Sequence, residues 1–116
     1  MHVAYNENKA VVDSTAGEAG VRRAATIADT AQAAAVDTLR QAYISEITEQ
    51  DVVDAVLAAY AASGADDTPC YPPVVASGAD ALLPNGDTTN DASRVIATDT
   101  EYILVGLAPR ADGYCA

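Results

Sequence analysis

Few side chains in this sequence have the types and spacing that catalytic chemistry requires. His2 is the only histidine and lies at the terminus, which argues against a Ser-His-Asp triad. Ser77 lies in VASGA, which lacks the GxSxG spacing of a nucleophile elbow. No glycine-rich stretch has the spacing of a dinucleotide site or the lysine of a P-loop. The sequence therefore points away from common nucleophilic and nucleotide-binding sites.

The two cysteines, Cys70 and Cys115, are too few for a disulfide framework. They share no CxxC spacing with each other or with His2. We predict two free thiols that act as small apolar residues, with a single disulfide between them as the alternative.

The 116 residues suffice for one domain. The core residues are small, with 26 Ala and no Phe or Trp. Each buried residue removes little apolar area from water and so contributes little stability, at about 25 cal/mol per Å². We expect a domain that is marginal alone or buries a further face against a partner.

The net charge of −11 comes from 12 Asp and 5 Glu against 6 Lys and Arg. Excess Asp with a single Lys is typical of salt-loving microbes, in which concentrated salt screens the repulsion; an ordinary acidic cytosolic protein is the alternative. No basic stripe exists to neutralise phosphates, so nucleic acid is not expected. Without a signal peptide or an apolar membrane span, we predict a cytoplasmic protein and no membrane partner.

Two helices are predicted in the first half of the chain. Thr15 and Glu18 fit a capping box, and an apolar stripe then runs at helical spacing to about Tyr43. Thr48 and Asp51 form a second cap-like pair ahead of a helix at roughly 49–62, which Gly64 ends. The stripe of the first helix contains Val21, Ala24, Ala28, Ala31, Ala35 and Leu39.

Extended chain is predicted in the second half. A strand begins at Val74 and is interrupted at Ser77-Gly78, by a bulge or by a close backbone approach. The strongest strand signal, 101–107, is continuously apolar, which predicts burial on both faces. An Asp-Gly pair at 112 and 113 then predicts a hairpin turn.

Four stretches, in order, resemble the pita-bread metallopeptidases, the family of methionine aminopeptidase, Xaa-Pro aminopeptidase, prolidase and creatinase. They are EAGVRRAATIADTA, ITEQDVVDAV, YPPVVASGADALLPNGD and TEYILVGLAPRADGYCA. The third is similar to the family pattern (F/Y)-x-x-(I/V)-V-A-S-G-x-N-x-x-x-P-H, and the fourth to D-x-V-L-(I/V)-D-x-G-x-x-x-x-G-Y-x-x-D. The likeness covers about residues 15–116 and tilts toward the Xaa-Pro aminopeptidase and prolidase branch.

The resemblance implies an α+β fold, the N-terminal half of a pita-bread fold, with two long helices packed on an antiparallel sheet. It divides the chain into a lead-in segment, 1–14, and a truncated pita-bread peptidase-like domain, 15–116. Intact relatives use two divalent metals (Mn, Co or Zn), held by two Asp, one His and two Glu. The paired metals activate a bridging water and polarise the scissile carbonyl.

This sequence departs from the family pattern where the chemistry lies. The family histidine that helps bind and protonate substrate falls on Asn85, which hydrogen-bonds but does not shuttle protons near neutral pH. The first metal-binding Asp falls on Gly106, and the second falls beyond Ala116. Asp112 is expected to be a turn residue rather than a ligand. We therefore expect no catalytic residue, metal ligand or cofactor in this chain, and assign Asn85 alone to substrate binding.

The resulting hypothesis is a fragment of an Xaa-Pro aminopeptidase-like or prolidase-like protein that is catalytically inactive alone. The alternative is a non-catalytic binding or assembly module on the same scaffold. A third interpretation, an enzyme completed by another chain that carries the His and Glu ligands, leaves the site one carboxylate short at Gly106. The expected partner is a missing C-terminal half or a second copy in a homo-oligomer.

Overall fold

The computed structural model describes residues 15–78, 93–97, 99–100 and 102–115. In these ranges the chain is α+β, as predicted, and its strands pair antiparallel in three two-stranded ladders, β1 with β3, β2 with β4 and β5 with β6. The elements in order are α1 (Thr15–Arg40), a 3-10 turn (Gln41–Tyr43), β1 (Ile47–Thr48), α2 (Glu49–Ala62), β2 (Val74–Ser77), β3 (Val95–Ile96), β4 (Ile103–Gly106), β5 (Arg110–Ala111) and β6 (Tyr114–Cys115).

The core forms where the apolar stripes of α1 and α2 meet. The first helix ends near Tyr43 as predicted, because α1 continues directly into the 3-10 turn. Ala28 and Leu39, both in the predicted stripe, are only partly buried, whereas Ile27 is buried. The predicted cap at Thr15 lies outside the described side chains. Apart from two glycines, the buried residues of the two helices are Val21, Ala24, Ile27, Ala31 and Ala35 in α1 and Glu49, Val52, Val53, Val56 and Tyr60 in α2. Neither helix is long and apolar enough to span a membrane in the ranges searched.

The ends of α2 are set by the residues that the sequence singles out. Thr48 Oγ1 accepts a hydrogen bond from the backbone N–H of Asp51 (3.3 Å), and Asp51 Oδ2 accepts one from the backbone N–H of Thr48 (2.8 Å). This reciprocal pair satisfies donors that the first turn of a helix leaves free. At the other end Gly64 has φ +77°, the left-handed conformation that favours glycine. The predicted bounds of α2 are therefore confirmed.

Strand β4 is shorter and more exposed than its sequence predicts. It covers Ile103–Gly106 rather than 101–107, and Ile103 and Leu104 remain 37% and 39% exposed. The prediction of burial on both faces was wrong. A continuous apolar run is buried on both faces only where other elements cover both, and in the described ranges β2 is the strand that pairs with β4.

Cys70 and Cys115 form a disulfide, with their Cα atoms 6.2 Å apart. The prediction of two free thiols was therefore wrong. The chain folds back so that β5 and β6 lie against the segment after α2, where the Cys70 N–H donates to the carbonyl of Ala108 (2.8 Å). This proximity comes from tertiary folding across a sequence separation of 45, which the spacing of two cysteines does not reveal.

Candidate functional site

The segment VASG belongs to the stretch that resembles the family pattern ending at the substrate-binding histidine, and β2 ends within it at Ser77. The register of β2 and β4 places Val74 opposite Gly106 and Ser77 opposite Ile103. Beyond Ser77 the N–H of Gly78 donates to the carbonyl of Tyr102 (2.8 Å), and Gly78 turns the chain with φ +65°. The predicted interruption at Ser77-Gly78 is therefore a left-handed glycine at the end of a strand.

The end of β2 is held by a buried carboxylate, that of Glu49. Glu49, the first residue of α2, is 0% exposed. Its Oε2 accepts hydrogen bonds from the backbone N–H of Ser77 (2.9 Å) and from Ser77 Oγ (2.6 Å), and it lies 3.5 Å from Arg94 Nε. Burying a carboxylate is costly unless such partners compensate it. The position at a helix N-terminus adds a favourable dipole interaction.

Sequence analysis missed Glu49 by treating the acids of the helical pair as a solvated face. A signal was present, because Glu49 is in phase with the apolar stripe of α2, which continues at Val52, Val53, Val56 and Tyr60. A charged residue on the buried stripe of a helix must find polar partners. Those partners, Ser77 and Arg94, lie in later parts of the chain.

The turn of the β5–β6 hairpin is held by polar contacts. Asp112 and Gly113 both have positive φ, 54° and 83°, as a two-residue type I′ turn requires. The Asp66 carboxylate accepts the N–H groups of Asp112 (3.2 Å) and Gly113 (2.8 Å). Asp112 Oδ1 lies 2.9 Å from Arg23 Nη1. Asp112 is therefore a turn residue, as predicted, and the structure adds an ion pair with Arg23 that the sequence did not predict.

Gly106, on which the sequence comparison with the family pattern places the first metal-binding Asp, is the last residue of β4. Gly106 supplies no side-chain ligand, although a Cβ there would meet Val74 Cβ at 3.5 Å, an ordinary contact. Two residues on, the N–H of Ala108 donates to the Tyr60 hydroxyl (3.1 Å). Burial raises the pKa of that hydroxyl, and the hydrogen bond from Ala108 lowers it by less. The backbone beyond Gly106 is thus held by α2.

The described residues do not fit a pair of divalent metals. They contain no group of three or more His, Cys, Asp or Glu side chains placed to hold a metal ion. Gly106 lacks a ligand, and the Asp112 carboxylate pairs with Arg23. Asn85, to which sequence analysis assigns substrate binding, lies outside the described residues. The structure therefore describes two of the three positions that the sequence singled out, Gly106 at the end of β4 and Asp112 in the hairpin turn.

An apolar groove runs between α1 and β4. We call this surface the α1–β4 groove; its lining consists of Ala28, Gln32, Ala35, Val36, Leu39, Ile103, Val105 and Leu107. A neighbouring pocket shares Val36, Leu39 and Ile103 with it and also contains Tyr43, which is 78% exposed.

Comparison with known proteins identifies the scaffold. The sequence profile of metallopeptidase family M24 matches residues 19–116. Comparison with curated protein sequences finds no match. Among solved structures, the chain is similar to the crystal structure of X-Pro aminopeptidase from Thermotoga maritima MSB8, with a TM-score of 0.64 and 20% identity. The match covers 85% of this chain and 26% of that chain, so this chain spans about a quarter of that protein's length. The profile match over most of the sequence and the shared fold show that the chain belongs to metallopeptidase family M24.

Proposed function

We propose that this chain is a fragment of an Xaa-Pro aminopeptidase-like or prolidase-like protein and that it does not hydrolyse peptides alone. The observation that carries the proposal is Gly106, which lies on β4 where the family pattern has an Asp ligand. A paired-metal mechanism needs ligands that hold both ions at a short separation. Glycine removes one ligand, and two described carboxylates at the β5–β6 hairpin are engaged elsewhere: Asp112 pairs with Arg23, and Asp66 binds the hairpin turn.

The test is a peptidase assay of the purified chain on Xaa-Pro dipeptides with Mn²⁺, Co²⁺ or Zn²⁺. We expect no cleavage above the rate of metal alone. A matched variant, Gly106→Asp, should fold, because a Cβ at this position makes only an ordinary contact, and it should remain inactive because one carboxylate does not complete the site. Cleavage by the wild-type chain that a chelator abolishes would overturn the proposal.

The α1–β4 groove supports a second part of the proposal. The match covers 26% of the X-Pro aminopeptidase chain, so most of that protein lies outside the matched part. We propose that the corresponding segment, on the same or another polypeptide, covers this groove, because β4 is partly exposed and in the described ranges pairs along one edge. The uncovered groove of the 116-residue chain should bind an apolar dye such as ANS, and Ile103→Glu should weaken that binding in a monomeric protein. A stable dimer that does not bind ANS would instead identify a second copy as the occupant.

A non-catalytic binding or assembly module is the alternative function. It is favoured by the contacts that join residues 108–115 to α2 and to the segment after it. They are the disulfide, the Asp66 contacts and the Tyr60–Ala108 hydrogen bond. Such a module should unfold cooperatively in concentrated salt without a second polypeptide. A broad, non-cooperative transition would favour the fragment.

A cytoplasmic location in a salt-loving cell remains part of the proposal. The net charge of −11 supports the halophilic part, because self-repulsion destabilises a compact state unless salt screens it. The disulfide is an argument against a strongly reducing compartment, since disulfides are rare in the cytosol of most organisms. Alkylation of free thiols in a fresh lysate of the native cells would decide: a fully oxidised pair contradicts a reducing cytoplasm.

A further inference from the structure

A single carboxylate joins two parts of the chain that are far apart in sequence. Glu49 Oε2 binds Ser77, the last residue of β2, through both its backbone N–H and its hydroxyl. The same oxygen lies 3.5 Å from Nε of Arg94, the residue just before β3. The backbone N–H of Glu49 also donates to the carbonyl of Arg94 (2.9 Å). One residue at the start of α2 therefore contacts both strand ends.

The contacts fix backbone positions as well as side chains. Two of the three hydrogen bonds described for Glu49 involve backbone groups, the N–H of Ser77 and the carbonyl of Arg94. Charge-assisted hydrogen bonds are shorter and stronger than neutral ones, and 2.6 Å for the Ser77 hydroxyl is at the short end of the range. Since Glu49 is 0% exposed, the carboxylate depends on these partners rather than on bulk water to compensate its burial.

We propose that Glu49 is a positioning residue that sets the Ser77–Gly78 backbone and the entry to β3 relative to α2. An apolar residue on the α2 stripe would pack but would leave the Ser77 N–H without this acceptor. Ser77 and Gly78 belong to the stretch that resembles the family pattern ending at the substrate-binding histidine. Any role of this backbone position in ligand binding therefore rests on the proposed function. The positioning itself requires neither metal nor activity, so its test is separate from the peptidase assay.

The test is amide hydrogen exchange by NMR on the full chain. In Glu49→Ala, the protection of the Ser77 N–H should fall roughly tenfold or more beyond the loss at core amides such as Val56, because a buried donor loses its acceptor. Glu49→Gln keeps a side-chain carbonyl and should restore most of the protection at Ser77. Tyr60→Phe is the matched control: it removes a different polar contact of α2, to Ala108, and should not change Ser77 selectively.

Two results would overturn the assignment. One is equal loss at Ser77 and at Val56 in Glu49→Ala, which indicates only a global decrease in stability. The other is a Glu49→Gln variant that exchanges at Ser77 as fast as Glu49→Ala. If Glu49→Ala does not fold, the wild-type protein still decides the matter through the scalar coupling across the hydrogen bond from Ser77 ¹⁵N to the Glu49 side-chain ¹³Cδ. Its presence supports the proposal, and its absence overturns it.

Discussion

Removal of the Cys70–Cys115 disulfide should cost a large fraction of the free energy of unfolding. The bond closes a loop with a sequence separation of 45. Loop-closure entropy alone then gives about 4 kcal/mol, between about 3 for a 15-residue loop and about 4.7 for a 100-residue loop. Domains of this kind are stable by only about 5–15 kcal/mol. Because the core consists of small residues, we expect a free energy of unfolding near the low end of this range. The reduced chain should therefore be close to unfolding.

Urea denaturation in concentrated NaCl, followed by circular dichroism, measures this cost. With a slope of about 1–3 kcal/mol per M urea, a loss of about 4 kcal/mol lowers the midpoint by about 1.3–4 M. The double variant Cys70→Ser/Cys115→Ser should match the reduced wild-type chain and should not respond to dithiothreitol. The reasoning is refuted if oxidised and reduced chains have the same midpoint, or if both cysteines of the untreated native protein react with an alkylating reagent.

Three further predictions concern the Tyr60 hydroxyl, the packing at Gly20 and the net charge of the chain. Stability should decrease above about pH 10, because the unfolded state releases the tyrosine proton at its ordinary pKa of about 10 while burial holds the pKa of Tyr60 higher in the folded state. Tyr60→Phe should remove this alkaline dependence, and Tyr43→Phe, at an exposed position, should leave it unchanged in pH-dependent urea titrations. Gly20→Ala should cost about 1–3 kcal/mol by overpacking, because a Cβ there would lie 3.0 Å from Tyr114 Cγ; a Gly20→Ala melting temperature at or above that of wild type would contradict the close packing. Raising NaCl should increase the melting temperature steadily as it screens a net charge of −11, and a melting temperature independent of salt would contradict the halophilic interpretation.

Local signals predicted the helices well. The Thr48–Asp51 pair and Gly64 act within a few residues of the helix ends that they define. Because these interactions are local, the residue types alone predict where α2 begins and ends. The same holds for the turn at Asp112 and Gly113, where both residues adopt the positive φ that an Asp-Gly pair tolerates. The fold class followed from these elements together with the family resemblance.

Features that depend on distant contacts were harder to predict. The disulfide joins residues separated by 45 positions, and no local spacing encodes it. The exposure of Ile103 and Leu104 depends on which elements cover β4, a property that an apolar run does not specify. Glu49 is an intermediate case, because its phase on the α2 stripe indicates burial but does not identify Ser77 or Arg94 as partners.

The most direct test of the central claim is a Mn²⁺ titration of the purified chain followed by electron paramagnetic resonance. The proposed function requires that this family M24 chain, with glycine at position 106, does not bind a pair of divalent metal ions. It predicts only weak, non-saturating loss of the free Mn²⁺ signal, equal in the wild-type chain and in Gly106→Asp, as expected for a surface rich in Asp. Tight, saturable binding of two Mn²⁺ ions per wild-type chain would contradict it.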